Sequence, residues 1–113
     1  AAAHDRAMAI WSHLPHVVAF ALAQVADAAL LALGEGMDLG ARSLLDGTRV
    51  AASASDTWSD ILLDNAGPVR AATAALRARL DVLDAAIACG DAAALRALLV
   101  EAGHARRRLG GAP

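Results

Sequence analysis

The stretch Val17–Leu33 constrains the fold more than any other part of this chain. Wound as a helix, its residues Val17, Val18, Phe20, Leu22, Val25, Leu30, Leu31 and Leu33 point all around the axis. A helix that is apolar on every side must be covered on every side. The rest of a 113-residue chain supplies only three or four further helices, too few to surround it. A second copy of the chain is the simplest source of the missing cover, so the expected assembly is an intertwined homodimer. A membrane span is the competing reading, but the stretch runs 17 residues and carries Gln24 and Asp27. A span takes about 20 apolar residues with few or no charges. No basic segment followed by a small-residue cleavage site opens the chain, which argues against a signal peptide. The chain reads as soluble and cytoplasmic, with no membrane partner.

The remaining composition fixes the class. The chain is 58% hydrophobic but only 3% aromatic, it lacks tyrosine and lysine, and its ten basic residues are all Arg. Alanine dominates, and Ala favours helix because it loses no side-chain entropy there. No alternating β-branched run is present, so no strand is expected. The fold class is all-α, a helical bundle forming one domain over residues 1–113. A net charge of −2 without a basic stripe argues against nucleic acid as a partner. Arg106-Arg107-Arg108 reads as a solvated helix end that complements the macrodipole. Cys89 stands alone, which excludes an intrachain disulfide, suits a reducing compartment and reads as buried packing.

Along the chain, a long first helix is expected over about residues 2–33, kinked at Pro15 by a missing N–H and a ring clash. Gly34–Gly40 reads as a loop. A short helix follows from about Ala41 to Ala52. Ser53 to Asp56 offer polar caps for a third helix beginning near Thr57. Asn65-Ala66-Gly67-Pro68 is a punctuation point, with Pro68 in the first turn of a new segment and Asn65 or Gly67 near its cap. Val69, Ala72, Leu76, Leu80, Leu83 and Ile87 then form a packing stripe at spacings of three and four. Gly90 is a C′ residue, Asp91 caps a last helix over about 92–109, and Leu95, Leu98, Leu99 and Ala102 form its buried face. Gly110–Pro113 reads as a frayed tail. Ala1-Ala2-Ala3 runs into helical pattern without a cap, as expected of a fragment.

Polar chemistry concentrates near the start, where three of the four histidines lie. Ser12 and His16 are four apart and share a helix face, His13 sits about 100° round from Ser12, and His4 precedes Ser12 by two turns. One surface can present His4, Ser12 and His16 together. His13 and His16 at i, i+3 could begin a metal site, but no second cluster completes a ligand set and no metal is expected.

The segment His4-Asp5, then Ser12-His13-Leu14-Pro15-His16 and the apolar run Val17-Val18-Ala19-Phe20-Ala21-Leu22, resembles the start of the helical domain of prephenate dehydrogenases. A second block, Asp46-Gly47-Thr48-Arg49-Val50-Ala51-Ala52-Ser53 followed by Trp58-Ser59-Asp60-Ile61, is similar to a second motif of that family in the same order. The resemblance covers most of the chain and is diffuse after about Asn65. It implies the C-terminal dimerisation domain of an enzyme that oxidatively decarboxylates prephenate, or arogenate, and passes hydride to NAD or NADP. In that family the cofactor and the catalytic histidine belong to a Rossmann domain, so neither a catalytic nor a cofactor-binding residue is expected here, and this segment alone should be inactive. Gly34-x-Gly36-x-x-x-Gly40 misses the dinucleotide spacing by one residue and has no strand before it.

The resemblance assigns substrate binding to Arg49, whose planar fork suits a carboxylate. Asp46, one turn earlier, could orient Arg49 by an ion pair or serve as a helix cap. Ser12 and His16 resemble pocket-lining positions, as does His4. Trp58 resembles a pocket-side or interface aromatic, with a core Trp as the alternative, whereas Trp11 carries no motif and reads as packing. Arg42-Ser43-Leu44-Leu45 replaces the family's usual glycines and aromatic, Gly47 replaces another aromatic, and Gly67-Pro68 interrupts a usually continuous helix. Pocket shape, and with it the choice between prephenate and arogenate, is therefore open. The reading from a different class is a stand-alone helical dimerisation module without activity.

Overall fold

The computed structural model describes residues 2–33 and 41–110, and every regular element among them is helical. In chain order these are α1 (Ala2–Met8), a π-helical turn (Ala9–His13), α2 (Leu14–Leu33), α3 (Ala41–Thr48), a 3-10 turn (Arg49–Ala52), α4 (Ser55–Asp64), α5 (Ala66–Ala88) and α6 (Ala92–Leu109). The expected loop Gly34–Gly40 and the tail beyond Gly110 lie outside the described residues. Two compact units divide the chain, Ala1–Thr73 and Ala74–Pro113, with the boundary inside α5.

In the first unit, α1, the π turn and α2 run as one continuous helix from Ala2 to Ala32. Pro15 does not end it. A proline ring clashes with the carbonyl four residues back and offers no N–H of its own. Here the five residues before α2 are wound more widely, and the Leu14 N–H reaches the Ala9 carbonyl five residues back. The wider turn accommodates the ring, as π turns do where a regular ladder is interrupted. Ala9 packs with Val69 and Ala72 of α5, and Leu14, Val17 and Leu62 close around them. Small side chains at Ala9 and Ala72 let the helices approach closely. α2 also packs against α3 and the 3-10 turn.

The described residues cover the far half of α2 less completely. Val25 and Leu31 are 68% and 78% exposed, and Leu45 of α3 is 65% exposed. Between α2 and α3 an open cleft of about 330 Å³ is lined by Ala23, Ala26, Ala29, Leu30, Leu44 and Leu45, with Asp27 and Thr48 at its polar edge. Because the helix starts at Ala2, it is 31 residues long, and by length and composition alone it could cross a membrane. That corrects the shorter span read from Val17–Leu33, although Gln24 and Asp27 still interrupt the apolar surface.

The cap of α4 differs from expectation. Ala54 holds the N-cap position without a side-chain bond, while the Ser53 hydroxyl donates back to the Val50 carbonyl and closes the 3-10 turn instead. A serine hydroxyl can serve either partner, and the preceding turn takes it.

The second unit is an antiparallel helical hairpin formed by α6 and the part of α5 from Ala74 on. Arg79 and Glu101, each eleven residues from Gly90 (90 − 79 and 101 − 90), face each other at 3.9 Å. Both are exposed, so the pair adds little stability. At the turn, Gly90 N–H bonds to Ile87 and Asp91 N–H to Ala86, the paired bonds of a Schellman end. Gly90 has φ +64°, and the Asp91 carboxylate accepts the Ala94 N–H at 3.0 Å, as the sequence predicts. Ala86 is buried and Leu83, Leu95 and Leu98 are half-buried. Leu80, Ile87, Leu99 and Ala102, expected to pack, are exposed. Two helices bury one stripe each, and these residues lie beside the seam. Cys89, expected to be buried, is an exposed free thiol at the hairpin end.

Gly90→Ala is expected to destabilise the protein by about 1 kcal/mol. An added Cβ there would meet nothing within 4 Å, so the cost is backbone conformation alone. A lowered urea midpoint with an unchanged slope is the expected observation.

Candidate functional site

The first unit gathers three rings from two parts of the chain. His13 ends the π turn, His16 lies one turn on at the start of α2, and Trp58 lies in the first turns of α4. The His16 and Trp58 rings stack with centroids 3.5 Å apart and planes 14° off parallel. His13 meets Trp58 edge-on, at 6.1 Å and 84°. Phe20, one turn beyond His16, tilts against it at 6.2 Å. The spacing 13, 16, 20 places all three on one helix face, and α4 presents one indole to the two imidazoles.

Hydrogen bonds fix how each imidazole is protonated when neutral. His16 Nδ1 lies 2.9 Å from the Ser12 carbonyl. A carbonyl only accepts, so Nδ1 carries the proton and Nε2 keeps a free lone pair. His13 is the opposite case. The Asn65 amide Nδ2 donates to the Asp5 carbonyl at 2.8 Å, which orients the amide. Its second proton points to His13 Nδ1 at 3.2 Å. His13 Nδ1 must then accept, so its proton sits on Nε2. His13 is buried at 8% exposure. No buried side-chain nitrogen or oxygen among the described residues lacks a partner, so the unpartnered His13 Nε2–H lies on the part of the ring that remains accessible.

Beside these rings is an open cleft of about 320 Å³, lined by Phe20, Ala51, Ser53, Ser55, Trp58, Ser59 and Leu62. An indole face, a phenyl ring and three serines make a surface suited to a small ring bearing polar groups. Of the residues proposed from sequence, His16 and Trp58 are in direct contact, and Ser12 reaches His16 through its backbone carbonyl rather than its hydroxyl. His4 is exposed on α1 and joined to this group by no hydrogen bond, ion pair or ring contact among the described residues.

Arg49 begins the 3-10 turn that also carries Ala51, and it is exposed. Its expected partner Asp46 does not reach it. Among the described residues the one ion pair is Arg79 with Glu101. α3 ends at Thr48, whose φ −112° and ψ 4° break the helical phase, so Asp46 and Arg49 no longer share a face. Nor is Asp46 a cap, since it lies inside α3. The Thr48 hydroxyl donates instead to the Leu44 carbonyl at 2.7 Å.

Asn65 and Phe20 were not singled out for the site from sequence. Asn65 reads locally as a helix-end residue, and nothing in its neighbourhood announces partners 52 and 60 positions away. No group of three or more His, Cys, Asp or Glu among the described residues could hold a metal ion. Nor do those residues include a strand, so they lack the strand–loop–helix crevice that cradles a dinucleotide.

Residues 1–101 match the family model described as prephenate dehydrogenase, dimerization domain. The chain is also similar to a cyclohexadienyl dehydrogenase of Zymomonas mobilis subsp. mobilis, 44% identical over 64 residues. That match takes in 56% of this chain and spans only 22% of the relative's length. No solved structure matches the chain.

Trp58→Ala is expected to cost about 2 kcal/mol, less than the 3–5 kcal/mol of a fully buried aromatic, because the indole is half-buried yet stacked. Chemical denaturation of the variant beside the parent chain measures it.

Proposed function

The chain belongs to the prephenate dehydrogenase dimerization-domain family, and on that premise we propose that it is the helical part of a cytoplasmic dehydrogenase acting on prephenate or arogenate. In this reading it does two things. It joins two copies of the protein, and it supplies one wall of the substrate cleft. A nucleotide-binding domain elsewhere in the full protein holds NAD or NADP, which accepts the hydride as carbon dioxide leaves. The helical part alone does not turn over.

The observation that carries the substrate reading is the His16–Trp58 stack beside a cleft lined by Trp58 and Phe20. A flat indole packs against a six-membered ring. His16 Nε2, its Nδ1 proton engaged by Ser12, accepts a hydrogen bond from a substrate hydroxyl. Arg49, exposed and free of an ion pair among the described residues, is available to a carboxylate. Its guanidinium forms two parallel bonds to the ring carboxylate that departs.

The dimer reading is supported by the uncovered apolar half of α2 together with Leu44 and Leu45 of α3. Exposed apolar surface of this continuity marks an interaction site. The same surface would serve a stand-alone dimerisation module, which lacks only the catalytic partner domain.

Arg49→Ala in the full-length enzyme is expected to raise KM for prephenate at least tenfold, on the order of one charge-assisted hydrogen bond, with NAD(P) affinity little changed. An unaltered KM removes Arg49 from the site. In sedimentation at micromolar concentration the chain is expected to run as a dimer, and Leu45→Asp should shift it toward monomer. A monomeric parent chain, or one that enters lipid vesicles through the Ala2–Ala32 helix, would refute the dimer reading.

A further inference from the structure

We propose that Asn65 is a positioning residue of this site, setting the protonation pattern that His13 presents beside Trp58. Its two bonds, to the Asp5 carbonyl and to His13 Nδ1, are the only side-chain hydrogen bonds among the described residues that join positions more than four apart. One amide nitrogen therefore ties the turn between α4 and α5 to both α1 and the π turn. Turning the amide over would set its oxygen against the Asp5 carbonyl oxygen, two acceptors in contact, so the orientation is determined by charge as well as by reach.

The consequence is an opposed pair of imidazoles. His13, accepting from Asn65, offers an Nε2–H donor, and His16, donating to Ser12, offers an Nε2 acceptor. Both rings contact the same indole. The two histidines stand behind the cleft's Trp58 wall rather than in its lining; a hydroxyl, which both gives and takes a hydrogen bond, has the chemistry to match the pair, and a group that only accepts matches His13 alone. Asn65 does not line the cleft and acts through His13. The protonation assignment stands on geometry, and its effect on turnover rests on reading this cleft as the substrate site.

The test is ¹⁵N NMR of the histidine-labelled chain at mildly alkaline pH, where a proton-bearing ring nitrogen and a bare one give well-separated signals. In the parent chain His13 Nδ1 is expected to be bare and His16 Nδ1 protonated. In Asn65→Asp, whose carboxylate accepts but cannot donate, the proton should move to His13 Nδ1 while His16 is unchanged. Should Asn65→Asp fail to fold, Asn65→Ala replaces it, and the two His13 nitrogen signals are expected to move toward each other as neither form is selected. A protonated His13 Nδ1 in the parent, or His13 signals unmoved by the substitution, would overturn the assignment. In the full-length enzyme Asn65→Ala should lower kcat/KM roughly three- to tenfold, the scale of one neutral hydrogen bond, with the loss in KM. Moved His13 signals with unchanged kcat/KM would overturn the positioning role. If Arg49→Ala is silent in the same assay, the substrate reading of the cleft fails while the tautomer assignment stands.

Discussion

A helix has a perimeter, and α2 carries apolar side chains around all of it. Within the first unit, the described residues meet part of that perimeter, with α4 and α5 residues around Leu14 and Val17 and with α3 and the 3-10 turn. Past Phe20 the helix still meets α3 on one side, but Val25, Leu30 and Leu31 are exposed, as are Leu44 and Leu45. Burying such side chains is worth roughly 1.5–3 kcal/mol each, a driving force for association well beyond that of the exposed Arg79–Glu101 pair. The family to which the chain belongs is described as a dimerization domain, and on the proposed reading this exposed surface is where the second copy docks.

The covered half of the helix is where chemistry is arranged. Pro15 forbids a regular ladder, and the chain answers with a wider turn that ends at His13. That turn sets His13 and His16 one above the other on the face that α4 approaches, so Trp58 can stack on one and meet the other edge-on. The donors and acceptors behind the rings then differ. A backbone carbonyl stands behind His16 and a side-chain amide behind His13. Two residues of one type thus acquire opposite hydrogen-bonding characters, from partners that lie outside the cleft.

Much of this was legible in advance. The hairpin end at Gly90 and Asp91 follows from local rules, because a positive φ and an acceptor at a helix start are needs of the backbone itself. His16 and Trp58 were chosen from motif blocks and are found in contact. The Asp46–Arg49 pair failed because spacing implies a shared face only while the helix continues, and α3 stops at Thr48. Ser53 failed as a cap because the preceding turn competes for the same hydroxyl. Leu80, Ile87 and Leu99 failed as core because periodicity reports which residues are apolar, not whether a partner surface is present.

The sequence by itself determined the helical class, the excess of apolar surface on the first helix and the residue types of the site, since each depends on composition and on spacings of a few residues. The tertiary structure decided which polar groups meet. Asn65 reaches Asp5 and His13 across more than fifty positions, and local propensity carries no information at that range. Those contacts exist because Ala9 and Ala72 are small enough to bring the helices together around Val69, and only the packed chain brings the amide within reach of the ring it orients.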